Sequence, residues 1–160
     1  MLHITRVLAA TAALAALVAA PAFAQNYSHN PNYGTVALRS GFAPDPTLVT
    51  VQSGGSINAE TRNSACKGFI TDAPDYRVNF TAGSAGLPLL ISAASAADVT
   101  LIVNGPDGQW YCDDDGGVAG LNPMVMFAAP GSGQYDIWVG TYGNASNQPS
   151  TLVVSELYSR

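Results

Sequence analysis

Three consecutive carboxylates, Asp113, Asp114 and Asp115, follow Cys112 directly and run into Gly116 and Gly117. Like charges at this spacing repel unless solvent or a cation relieves them, and hard oxygen donors on a flexible loop suit Ca²⁺. Asp98 stands at the head of an apolar run that reads as a strand neighbouring this loop, and Asn122 offers a further oxygen. The candidate metal ligands are therefore Asp98, Asp113, Asp114, Asp115 and Asn122, with calcium as the candidate ion. A solvated turn is the competing reading, because Asp and Gly are also the residues that turns prefer. The loop is not an EF-hand, since no register places glycine sixth and glutamate twelfth, and it lacks the repeated Gly-Gly-x-Gly-x-Asp of calcium β-rolls.

Catalytic chemistry is harder to assemble. Acyl transfer needs a nucleophile beside a base, yet the two histidines, His3 and His29, lie in the amino-terminal leader and the polar stretch after it, and Lys67 is the only lysine. Gly131-Ser132-Gly133 and Gly83-Ser84-Ala85-Gly86 lack the spacing of a nucleophile elbow and read as turns. The acids cluster on one loop instead of facing each other across a groove, as a glycosidase would require. The expectation is a protein that is not an enzyme.

Positioning the acidic loop is the work of the surrounding elements, beginning with the cysteines. Cys66 and Cys112 are the only two in the chain. In an oxidising compartment they are expected to pair, fastening one end of the acidic loop. Export is expected from residues 1–24, which combine basic His3 and Arg6, an apolar stretch from Val7 to Ala20 and the small-x-small signal Ala22-Phe23-Ala24. That stretch is shorter than the roughly 20 residues a membrane span needs, so a signal peptide is expected, with Gln25 beginning the mature protein and a periplasmic or extracellular destination.

Cleavage there removes 24 of 160 residues and leaves 136, the size of one domain. Five basic side chains then face eleven acidic ones, a net charge of −6 that excludes nucleic acid and anionic membrane surfaces as partners. Charged residues are only 11% of the chain and hydrophobic ones 48%, which excludes disorder. So little surface charge gives little repulsion between copies, leaving self-association open beside an unknown protein or cell-envelope partner.

Residues 25–34 are polar, without periodicity, and read as a flexible lead-in. Residues 35–160 form the expected domain: short runs rich in Val, Ile, Thr, Tyr and Phe alternate with Gly, Pro, Asn and Asp clusters about every ten residues, the cadence of an all-β sandwich. Strands are predicted at 35–39, 47–52, 66–70, 76–81, 87–93, 99–104, 109–112, 124–128, 134–141 and 151–157. Alternation turns Tyr135, Ile137 and Val139 inward, as it does Val99, Leu101 and Val103. Trp138 then points away from the core, as do Thr100 and Ile102. An outward tryptophan either covers a neighbouring strand or loop or offers an interface. Asp107, in Asn104-Gly105-Pro106-Asp107-Gly108, reads as a hairpin residue.

Asp98-Val99-Thr100-Leu101, Pro106-Asp107-Gly108, Leu121-Asn122-Pro123 and the Gly133, Tyr135, Val139 pattern follow one another in an order that resembles the bacterial pre-peptidase C-terminal domain. The likeness spans about residues 75–157. It implies a jelly-roll-like antiparallel β-sandwich, free-standing here, and a family in which some members bind calcium. Thr100 stands where the family's Asp-Leu-Asp-Leu strand carries its second acid, which weakens direct transfer of that site.

Two functional readings follow. One is a non-enzymatic secreted or periplasmic binding or stabilising module that takes Ca²⁺ through the acidic loop. The alternative is a structural or self-assembling subunit of the cell surface, using strand pairing by a segment such as Thr47-Leu48-Val49-Thr50-Val51, whose ordinary use is within its own sheet.

Overall fold

The computed structural model describes residues 29–144 and 146–157. The expected signal peptide and the first residues after it lie outside this range. Eleven strands follow in chain order: β1 (Thr35–Arg39), β2 (Thr47–Ser53), β3 (Ile57–Asn58), β4 (Phe69–Ile70), β5 (Tyr76–Thr81), β6 (Leu89–Ser95), β7 (Val99–Asn104), β8 (Trp110–Asp113), β9 (Met124–Phe127), β10 (Gly133–Thr141) and β11 (Gln148–Ser155). A single 3₁₀ turn, Ala59–Thr61, separates β3 from β4, with Asn58 capping it through a bond from the Glu60 N–H.

Two sheets pack into a sandwich. One is ordered β2-β11-β6-β9; the other runs β1-β5-β10-β7-β8, with β4 and β3 continuing beside the far end of β10. All pairings are antiparallel except β1 with β5, which is parallel and departs from the wholly antiparallel sandwich expected from the sequence.

The core between the sheets follows the period-2 pattern. Val99, Leu101, Val103, Tyr135, Ile137 and Val139 all enter it, meeting Leu89, Ile91, Leu152 and Val154 from the opposite sheet. Phe127 stacks edge-on against both Tyr111 and Tyr135, which closes one end. At the turn between β7 and β8, Asp107 accepts bonds from the Gln109 N–H and the Tyr111 hydroxyl, at 3.0 and 2.6 Å. Its assignment as a hairpin residue holds, and the Tyr111 bond followed by the Gln109 N–H lowers its carboxyl below the usual range.

The other face of the larger sheet decides between the two readings of Trp138. Trp138 does point away from the sandwich core, but it is only 1% exposed and presents no interface. Register explains why: Trp138, Ile102 and Cys112 stand opposite one another on β10, β7 and β8, forming one row across the sheet. The segment from β3 through β4 folds over that row and contributes Ala59, Cys66 and Ile70, so a second small core closes around Trp138. Trp110 lies against it, ring centroids 5.4 Å apart. The covering segment sits close. A Cβ on Gly68, at φ +88°, would meet the Thr100 hydroxyl at 2.6 Å, and one on Gly140 would meet it at 2.4 Å. Only glycines allow backbone and Thr100 to approach this way.

Between β5 and β4 the ladder of β10 has a gap, which a side chain fills. The Val139 N–H donates to Asp75 Oδ2 at 2.8 Å, while its carbonyl accepts from the Gly54 N–H at 2.8 Å. Asp75 also receives Asn32 Nδ2. Residues 29–34, expected as a flexible lead-in, are accordingly bonded to the body: Asn32 N–H to the Pro74 carbonyl, Tyr33 N–H to the Asp75 carbonyl, and Arg77 to the His29 carbonyl.

Candidate functional site

The disulfide Cys66–Cys112 forms as expected, with Cα atoms 5.1 Å apart. Its position decides the surroundings of the acidic loop. β8 ends at Asp113, and the antiparallel register pairs Leu101 with Asp113. Asp98, just ahead of β7, lies near enough to the acidic turn to feel the charges of Asp115 and Asp114. The sequence expectation that Asp98 neighbours the loop is met.

The five candidate ligands separate by their position on the pleat. Asp113 shares the inner side of the sheet with Leu101, and its Oδ2 accepts the Gly116 N–H at 2.6 Å and the Met124 N–H at 2.9 Å. Met124 opens β9 in the other sheet, so Asp113 bridges the two sheets and closes its own turn. Asn122 is buried; its Oδ1 accepts the Ser95 N–H at 2.9 Å, its Nδ2 donates to the Ala119 carbonyl, and its carbonyl receives the Gly117 N–H. These two residues shape the loop. Asp113 Oδ2 and both oxygens of Asn122 accept backbone N–H groups.

Asp98, Asp114 and Asp115 remain. The Asp98 carboxyl is raised above the usual carboxylate range, first by desolvation, then by the negative charges of Asp115 and Asp114. Its Oδ1 is enclosed and has no hydrogen-bond partner. An enclosed carboxylate oxygen without a donor is costly, and more so beside like charges. Among the described residues, no group of three or more His, Cys, Asp and Glu side chains stands ready to hold a metal ion. Closing a ligand shell therefore requires the Asp114–Asp115 turn to move toward Asp98.

Two neighbours were not anticipated. Lys67 follows Cys66, so the disulfide carries it to this end of the sandwich. Its ammonium pairs with Glu60 at 2.6 Å, and the fields of Tyr142 and Asp114 contribute, after that pair, to raising its pKa. The Tyr142 N–H donates to the Asp98 carbonyl at 3.1 Å, and its ring is exposed. Lys67 was legible in principle from its place beside a paired cysteine; Tyr142 required the path of β10.

Elsewhere the surface offers little chemistry. A cleft of about 350 Å³ runs between Pro106 and Gln134, and its one ionisable group, Asp136, is bonded to Arg77 at 2.6 Å and to Gln134 at 2.7 Å. His29 lies beside Asp72 at 3.4 Å on the surface. Among the described residues no helix is long and apolar enough to cross a membrane. No protein-family model matches the chain, and no curated protein matches it.

Proposed function

We propose that this chain is a non-catalytic, exported binding or stabilising module, akin to the pre-peptidase C-terminal domain, and that its acidic end takes up Ca²⁺. The observation that carries the reading is the grouping of Asp98 with Asp114 and Asp115, in which one enclosed carboxylate oxygen has no donor. A hard divalent cation bridging the strand-start carboxylate and the turn would relieve both the repulsion and the orphaned oxygen. Asp113 and Asn122 hold the frame, and the disulfide fixes one end of it. The non-catalytic reading rests on the sparse supply of bases, since Lys67 is the only lysine and His29 the only histidine beyond residue 3. Export is supported by the disulfide, a feature of oxidising compartments.

Thermal melting of the disulfide-intact mature protein tests the reading. A hundredfold excess of Ca²⁺ over its Kd stabilises the native state by about 2.7 kcal/mol, a rise in Tm on the order of 10 °C over the chelator-treated sample. Asp98→Asn should abolish the rise while leaving the chelated melt nearly unchanged. Superimposable melts, together with no heat of binding in calorimetry, would remove calcium from the account.

A further inference from the structure

β7 and β8 carry the acidic turn at one end and, at the other, border the cleft of about 350 Å³ beside Pro106. The outer face of the larger sheet changes character here. Asp136 stands two residues before Trp138 on β10, and register sets Arg77, Asp136, Asn104 and Trp110 in one row across β5, β10, β7 and β8. The segment that covers Trp138 contributes nothing to the lining of the cleft. Asp136 and Asn104 form its floor, only 1% and 4% exposed.

The hydrogen bonds of this floor fix which ends of its amides are left over. Asp136 accepts from Arg77 Nε at 2.6 Å on one oxygen and from Gln134 Nε2 at 2.7 Å on the other. A carboxylate only accepts, so the nitrogen of Gln134 must meet it and the carbonyl oxygen is turned away. Asn104 Nδ2 donates to the Gly108 and Gln109 carbonyls, both at 3.3 Å, which orients that amide by the same rule. Among the described residues no donor reaches Gln134 Oε1 or Asn104 Oδ1, and both side chains line the cleft. The cleft carries no reactive group. It carries two acceptors of fixed orientation, one of them on a side chain almost wholly buried, where an unmade bond is costly.

We propose that this cleft binds a neutral saccharide of at least two rings, laid along the row from Asp136 to Trp110. Fixed acceptors call for a ligand that brings O–H or N–H donors, and an apolar ligand would leave them unpaired. Charge is not the basis of recognition. Arg77 and Gln134 take both oxygens of the one carboxylate in the lining, which leaves a cation no open anionic group, and that same carboxylate opposes an anion. Trp110 adds a second requirement. It is part-buried on β8, opposite Asn104, with its ring held against Trp138, so it puts a rigid aromatic surface in the same row as the polar floor. Hydroxyl groups at the edge and an apolar C–H face are what a pyranose presents to such a pair of surfaces. Asp136 and Trp110 stand two strand spacings apart, about 10 Å, a distance that two linked rings cover and one does not. The cleft lies at the far end of β7 and β8 from Asp98 and Asp113, so this binding needs no calcium.

NMR titration of the isotope-labelled, disulfide-intact mature protein in chelator tests it, using neutral tetrasaccharides of glucose, mannose, galactose, xylose and N-acetylglucosamine, with tetragalacturonate and tetraglycine as the anionic and peptide controls. At least one neutral series should shift the side-chain amide signals of Asn104 and Gln134 and the indole N–H of Trp110 together and saturably. Gln134→Met keeps the length of the side chain, removes its acceptor and should weaken that binding by roughly fivefold. Asp114→Asn, at the acidic end, should leave it unchanged. The proposal is overturned if none of the neutral saccharides moves these three signals. An equal response to tetragalacturonate or tetraglycine overturns it too, as does a response that Gln134→Met leaves at full strength.

Discussion

The larger sheet has two buried faces built in different ways. The inner face packs against a second sheet, and the sixteen buried residues of the core between them, nine from the larger sheet, all lie on regular strands. The outer face buries five, Ala59, Cys66, Ile70, Ile102 and Trp138, and two of these, Ala59 and Cys66, arrive on a segment without strands that a disulfide clips down ahead of β4. A strand-on-strand core is stabilised by many apolar neighbours at once. A cover this small buries too little to hold an irregular backbone against its conformational entropy, and a covalent link offsets that deficit. The acidic end belongs to the second construction, since Cys112 precedes it and Lys67 arrives with the cover.

Trp138 offers the largest test of that contrast. Trp138→Ala should cost about 3–5 kcal/mol, comparable with Leu101→Ala in the inner core at about 2–5 kcal/mol. Chemical denaturation measures both. Trp138→Phe should cost much less than the alanine change, because the indole N–H is buried without a partner and its removal leaves no bond broken. If Trp138→Ala leaves the denaturation midpoint in place, the outer cluster is a cover and not a core.

Removing the disulfide asks whether the outer cover is a separable unit. For a separation of 46 residues the chain-entropy model gives about 4 kcal/mol, and typical native bridges contribute about 2–4 kcal/mol. Replacing Cys66 and Cys112 with serine together should therefore lower stability by about 2–4 kcal/mol. Hydrogen exchange sharpens the result. The Ala59 N–H bonded to the Gly68 carbonyl and the Cys66 N–H bonded to the Asn63 carbonyl should lose protection first, while Val78 and Leu101 keep theirs. Equal loss at both sets would mean that the two faces unfold as one.

The same contrast explains what could be read from the sequence. β1, β5 and β7 match their predicted limits, and every residue that alternation turned inward on β7 and β10 lies in the inner core, because a period of two is a local property that the sheet merely uses. The outer cover has no period. The strand predicted at 66–70 shrinks to the two-residue β4, with Cys66 to Gly68 irregular, and the short β3 at Ile57 and Asn58 is not among the predicted strands. Trp138 was placed on the correct side of its strand. What lay over it depends on a segment some seventy residues earlier, so exposure did not follow from orientation. In the acidic loop, composition named all five oxygen-bearing residues but could not divide them. Asp113 and Asn122 serve backbone donors on β6 and β9, long-range partners that no spacing within the loop reveals.

Asp75 stands at the seam between the two constructions, ending the gap in β10 where β5 stops and β4 has yet to begin. Burial pushes its carboxyl up to about 6, against opposing bonds from the Val139 N–H, Asn32 and Thr71. A carboxyl whose folded-state pKa lies above its unfolded value of 3.8 holds its proton more tightly when folded. Its contribution is thus most favourable below about pH 4 and declines as pH rises through about 6, a loss of about 3 kcal/mol at 1.36 kcal/mol per unit. Asp75→Asn has nothing to titrate. The stability difference between wild type and Asp75→Asn should consequently shift toward the variant between pH 4 and pH 7, by up to that amount, in parallel urea titrations. A difference independent of pH would place the ionised carboxylate at no disadvantage in the seam. The join between the sandwich and its outer cover would then be held by a charge-assisted bond to Val139, with burial costing it little.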